Sequence, residues 1–133
     1  MTNITMKLNH LSFPSTDYAA TAAFFEKHLG CTIASRSDAS VILKRPGFDI
    51  VIENAGTRRE TWPENFHLGF ELPTVADVRE LCARFKADGV AIEQDFFKHP
   101  RGSRFFCRAP GGFMLEINTR ADADAPYRGT FDN

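Results

Sequence analysis

Four residues in this chain have types and settings that suggest chemistry. They are His10 in Asn9-His10-Leu11-Ser12-Phe13, His67 in Phe66-His67-Leu68-Gly69-Phe70-Glu71, Glu53 at the end of Phe48–Glu53, and Glu116 in Phe113–Ile117. Each stretch alternates with a period of two, the pattern of a half-buried strand. If Leu11/Phe13, Ile50/Ile52, Leu68/Phe70 and Leu115/Ile117 turn toward helices, then His10, Glu53, His67 and Glu116 all turn the other way. Two imidazoles with one or two carboxylates on such a face match the ligand set of a divalent cation that keeps open positions. A single strand histidine is more often hydrogen-bonded structure, and a single exposed glutamate is usually only solvated. The combination points to a metal. Whether Glu53 takes part stays open.

The elements that must position these residues read as a duplication. Each histidine strand is followed by a proline turn, a helical pattern and a glycine, with Gly30 coming 20 residues after His10 and Gly89 coming 22 after His67. In the first copy a strand is expected over Lys7–Phe13, with Pro14 as its break and Ser15 and Thr16 as hydroxyl candidates for the helix cap. Tyr18, Ala22, Phe25 and Leu29 then recur at helical spacing, and three strands follow at Cys31–Ala34, Ser40–Lys44 and Phe48–Glu53. In the second copy Pro73-Thr74 and Asp77 form a capping signal, and Val75, Val78, Leu81, Cys82 and Phe85 form the apolar stripe. Strands are expected at Val90–Phe97, Ser103–Arg108 and Phe113–Thr119, with Ala109-Pro110-Gly111-Gly112 as a tight turn. The organisation is therefore one domain over 1–133. Module 1 covers about 6–54, a linker about 55–65, module 2 about 66–119, and an irregular tail 120–133.

Composition narrows the function classes. The chain has 133 residues, 43% hydrophobic and 25% charged, a net charge of −1 and thirteen phenylalanines, which is the profile of a globular protein rich in sheet. Neither a basic stripe nor a nucleic-acid motif is present, so nucleic acid is not an expected partner. No apolar run could span a bilayer and Met1–Leu8 lacks a signal-peptide core, so no membrane association and a cytoplasmic location are expected. Cys31, Cys82 and Cys107 form no C-x-x-C pair and read as small buried side chains. No G-x-G-x-x-G, phosphate loop or G-x-S-x-G occurs. Trp62, the only tryptophan, either pins the linker or lines a pocket. Lys98, Arg101 and Arg104 are either a solvated loop or a mobile basic lid that clamps an anionic part of a substrate. Arg104 shares parity with Phe106, so both line a cavity if either does.

The motifs Asn9-His10-Leu11, Phe24-Phe25-Glu26-Lys27-His28-Leu29-Gly30, Phe66–Glu71 and Ala109–Ile117 are similar to those of the vicinal oxygen chelate superfamily. That superfamily comprises glyoxalase I, fosfomycin-resistance thiol transferases, extradiol dioxygenases and bleomycin-binding proteins, and the resemblance runs from about Lys7 to Thr119. It implies an α+β fold of two tandem βαβββ modules forming a half-open barrel around a cavity. It also implies a homodimer with shared active sites, and a divalent ion (Zn, Ni, Mn, Co or Fe) held at the positions of His10, His67 and Glu116, with Glu53 matching a fourth ligand. The implied activity is a glyoxalase-like lyase or isomerase acting on a small oxygen-rich substrate through a metal-stabilised enediolate, with Glu116 or Glu53 as the base. The alternatives are a metal-free drug- or metabolite-binding protein of the bleomycin-resistance type and an extradiol dioxygenase. Two features depart from the pattern. The usual D-P-D-G turn has lost both acids, and Phe106 stands where fosfomycin-transferring members carry a hydroxyl-bearing aromatic.

Overall fold

The computed structural model describes residues 4–58 and 61–128. Residues 59–60 of the expected linker and 129–133 of the expected tail lie outside them. The chain divides into two compact units that part between Thr61 and Trp62. Each is a βαβββ module, and the fold is α+β.

In the first unit the order is β1 (His10–Ser15), α1 (Tyr18–His28), β2 (Thr32–Arg36), β3 (Ser40–Lys44) and β4 (Asp49–Asn54), with sheet order β1-β4-β3-β2. β1 runs parallel to β4, with Leu11 opposite Ile50 and Phe13 opposite Ile52. Helix α1 lies on that face: Phe25 is fully buried and its ring centroid is 5.8 Å from that of Phe13. Truncating a phenylalanine so enclosed costs about 3–5 kcal/mol.

Two local expectations are corrected here. The first strand begins at His10 and continues past Pro14, instead of spanning Lys7–Phe13. β1 is an edge strand, where the missing proline N–H leaves no ladder bond unmade, and the extent of pairing is set by β4. The helix cap is Asp17, which accepts from the Ala20 N–H at 3.3 Å. Ser15 is not available for that role, because its hydroxyl is hydrogen-bonded to Thr21 Oγ1 and accepts from the Asp17 N–H.

The second unit repeats the plan with β5 (Leu68–Glu71), α2 (Val75–Ala87), β6 (Ala91–Phe97), β7 (Arg104–Arg108) and β8 (Met114–Asn118), in sheet order β5-β8-β7-β6. Thr74 caps α2 as the sequence suggests, accepting from the Asp77 N–H at 3.1 Å. Val78, Cys82 and Phe85 are buried, as are Phe105, Cys107, Leu115 and Ile117, and the Phe85 and Phe105 rings meet edge to face at 5.7 Å. The turn joining β7 to β8 has Pro110 at its second position and Gly111 at φ 92°, a conformation open to glycine. No helix among the described residues is long and apolar enough to cross a membrane.

The described residues of the expected irregular tail, 120–128, fasten the basic loop. Asp122 accepts from both the hydroxyl and the N–H of Ser103, at 2.6 and 3.0 Å, and the Asp124 N–H donates to the Pro100 carbonyl. A short 3-10 turn at Ala125–Tyr127 follows. Sequence pattern missed this because the contacts join residues about twenty apart with no periodic signal between them.

Candidate functional site

Strand parity sets which side chains share a face within each unit. In the second unit Gly69 and Phe106 both stand opposite Glu116, Arg104 stands opposite Asn118, and Arg108 opposite Met114, all on the side away from α2. Gly69 leaves room for the glutamate beside it: a Cβ there would lie 3.4 Å from Asn118 Nδ2 and 3.9 Å from Glu116 Oε2. His67 immediately precedes β5. Its Nε2 is 3.3 Å from Glu116 Oε1, with the imidazole about one quarter exposed and the carboxylate 8% exposed.

The protonation of His67 follows from its other nitrogen. Nδ1 is 2.6 Å from the main-chain carbonyl of Asn65, which can only accept, so Nδ1 carries a proton. In the neutral ring the lone pair is then on Nε2, facing an anionic oxygen. Two electron-rich atoms meeting this way are stabilised by a cation between them or by a second proton on the ring. An Nδ1–H held by a carbonyl is also the usual arrangement of a metal-binding histidine.

Glu116 is the most constrained of the four candidates. Its Oε1 accepts from Arg104 Nη1 at 3.0 Å, and its Oε2 accepts from Asn118 Nδ2 at 2.5 Å. Arg104 is only 5% exposed and also donates from Nε to the Gly102 carbonyl. Burial lowers its pKa from the ordinary arginine value; Glu116 opposes that, and the nearby charges of Arg101 and Arg120 add to it. A guanidinium stays protonated under such pressure. Arg104 is thus part of the floor under Glu116.

The remaining expected residues are placed as follows. Phe106 lies edge-on to His67, with centroids 5.2 Å apart, and stacks on Phe97. Lys98 and Arg101 are exposed, and the charge of Lys98 acts on Asp122. Trp62 stacks on Phe66 at 5.3 Å and meets the edge of Phe113 at 5.0 Å, pinning the end of the linker. In the first unit His10 opens β1, exposed, with Nδ1 2.7 Å from Asn9 Oδ1. Glu53 lies near the end of β4 on the same face and accepts from Ser12 Oγ at 2.5 Å. His10 and His67 therefore each have Nδ1 engaged by an asparagine oxygen.

Sequence reasoning missed the residues that complete the second unit. Asn118 could have been found, since it sits two positions past Glu116 and shares its face. A cavity of about 410 Å³ is lined by Glu64, Asn65, Glu93, Gln94, Phe106, Arg108 and Met114. Its cation is Arg108, which pairs with Glu93 at 3.2 Å.

Among the described residues no three His, Cys, Asp or Glu side chains gather around one point. The pair His67 and Glu116 nevertheless fits two positions of a coordination set, by the convergence of Nε2 and Oε1 and by the engaged Nδ1.

The family model described as Glyoxalase/Bleomycin resistance protein/Dioxygenase superfamily matches residues 7–117. The chain belongs to this superfamily. Solved glyoxalase-superfamily structures share its fold. A possible glyoxalase from Bacillus cereus is 28% identical, with a TM-score of 0.74 over 86% of this chain and 99% of that one. A lactoylglutathione lyase from Agrobacterium tumefaciens is 18% identical, with a TM-score of 0.72 over 88% and 96%. The fosfomycin resistance protein FosX from Listeria monocytogenes is 18% identical, with a TM-score of 0.75 over 97% and 98%. No functionally curated protein matches this glyoxalase-superfamily sequence.

Proposed function

We propose that this member of the superfamily is a divalent-metal-dependent lyase or isomerase of the glyoxalase type, acting on a small oxygen-rich substrate. The observation that carries the reading is the approach of His67 Nε2 to Glu116 Oε1 with Nδ1 already donating to Asn65. His67 and Glu116 supply one half of the ligand set. His10 of a second copy, in a homodimer, is the candidate for a further position, with Glu53 as a candidate fourth ligand. When bound, the ion serves as a Lewis acid toward adjacent substrate oxygens.

The chain's own residues divide the remaining work. Glu116, gripped by Arg104 and Asn118, keeps a fixed orientation. Glu53 is exposed and near a strand end, so it is the carboxylate with freedom to take a proton from the substrate and return it to a neighbouring carbon. Phe106 and Met114 give the cavity apolar walls, while Gln94, Asn65 and Arg108 offer polar groups to orient what enters it.

A second reading is favoured by one contact. Because Arg104 already neutralises Glu116, the same face could serve a metal-free module that binds a metabolite between aromatic walls. Chelator-treated protein titrated with Zn, Ni, Mn, Co and Fe(II) separates the two. Stoichiometric uptake that His67→Ala abolishes, together with turnover of a methylglyoxal–glutathione hemithioacetal, is the expected result. Absence of uptake would leave the binding module as the function.

A further inference from the structure

The segment just before His67 is more constrained than a linker needs to be. Pro63, Glu64, Asn65 and Phe66 form a turn closed by the Phe66 N–H on the Pro63 carbonyl at 3.0 Å. Asn65 has φ 66°, the only positive value at a non-glycine residue among those described. Asparagine reaches this left-handed region at modest cost, and a β-branched residue does not. The turn is splinted from outside, since Trp62 and Phe66 stack and both meet the edge of Phe113, at 5.0 and 6.0 Å. Its product is one directed group, the Asn65 carbonyl 2.6 Å from His67 Nδ1.

That carbonyl competes with Glu116 for a proton. A neutral imidazole has one N–H, and its stronger hydrogen-bond partner decides which nitrogen holds it. An anionic carboxylate 3.3 Å from Nε2 draws the proton to Nε2, where the resulting hydrogen bond would close His67 to any cation. The shorter contact at Nδ1 opposes it. We infer that Asn65 is a positioning residue: its left-handed turn aims the main-chain carbonyl so that His67 adopts the tautomer with its lone pair on Nε2, facing Glu116. The consequence for ion binding rests on the metal reading above, but the tautomer does not.

The two are therefore tested separately. In metal-free, 15N-labelled protein, long-range proton–nitrogen correlation reports which ring nitrogen of His67 is protonated, with His67→Gln fixing the assignment. The wild type is expected to show Nδ1–H, as is Asn65→Gly, which keeps the left-handed turn. Asn65→Val is expected to shift the population to Nε2–H. In calorimetric titration with Zn2+, Asn65→Val should bind about tenfold more weakly than the wild type, and Asn65→Gly within about twofold. A proton on Nε2 in the wild type, alone or together with one on Nδ1, overturns the inference whatever the variants do, and so does a folded Asn65→Val whose ring pattern is unchanged. If the tautomer follows Asn65 but neither wild type nor Asn65→Gly takes up Zn2+, the inference stands and the metal reading falls.

Discussion

Arg104 donates through Nη1 to Oε1 of Glu116, and both side chains are more than nine-tenths buried. A residue that the sequence offered as part of a substrate clamp is thus the counter-charge of a candidate ligand. Removing one partner of such a pair strands the other charge, while replacing both with apolar groups does not. Arg104→Met is expected to destabilise the protein by about 3 kcal/mol, the low end for a buried pair because Asn118 still donates to Glu116. The double variant Arg104→Met, Glu116→Leu should recover part of that loss. Urea midpoints of the two variants check this, and a double variant no more stable than the single one would count against it.

Gly102 makes a close approach to the backbone of Thr119. With φ 111°, a Cβ added there would lie 1.8 Å from the Thr119 carbonyl oxygen, which is main chain and cannot rotate away. Gly102→Ala is expected to cost at least about 3 kcal/mol through strain and displacement of the loop. Thermal melting of the variant, or its loss from the soluble fraction, measures that cost.

Asp122 should make a pH-dependent contribution. Burial pushes its carboxyl up, but the Ser103 hydroxyl and N–H outweigh this and hold it below the usual carboxylate range. A carboxyl depressed in the folded state binds its proton more readily when unfolded, so it stabilises the fold at neutral pH. That contribution fades as pH falls through the carboxyl's range. The gap in urea midpoint between wild type and Asp122→Asn should be clear near pH 7 and should narrow progressively as pH falls below about 4. A gap that stays constant across the range would refute the assignment.

The three thiols should be silent in the native protein. Burial pushes the Cys107 thiol up to about 12, with Cys82 adding to it, and burial also raises Cys31 and Cys82. Thiolate is the reactive species, so at about pH 8 a disulfide reagent should label none of them in the folded protein and all three in urea. Fast labelling of native protein would show a core more open than the structure.

Phe106→Ala should act on the cavity more than on the fold. Its ring is half-buried, stacks on Phe97 and abuts His67, so the expected stability loss is about 1–2 kcal/mol. Once a turned-over substrate is known, the variant should raise KM with kcat less affected. The reverse split would mean that the ring orients His67 and does not contact the substrate.

Much of this protein was legible in its residue order because alternation and helical spacing are local. The period of two put His10 and Glu53 on one face of their sheet, and Glu116, Arg104 and Phe106 on one face of theirs, and Thr74 announced its helix. Pro14 misled because a proline ends a strand only where its N–H is needed, and pairing along an edge does not need it. What the tertiary structure decided are relations that depend on register and on chain returning from a distance. Arg104 faces Glu116 because β7 and β8 pair as they do, the tail returns Asp122 to Ser103, and a turn bends the Asn65 carbonyl onto His67. Spacing fixes which side of a strand a group occupies. Only the packed chain fixes which partner it meets there.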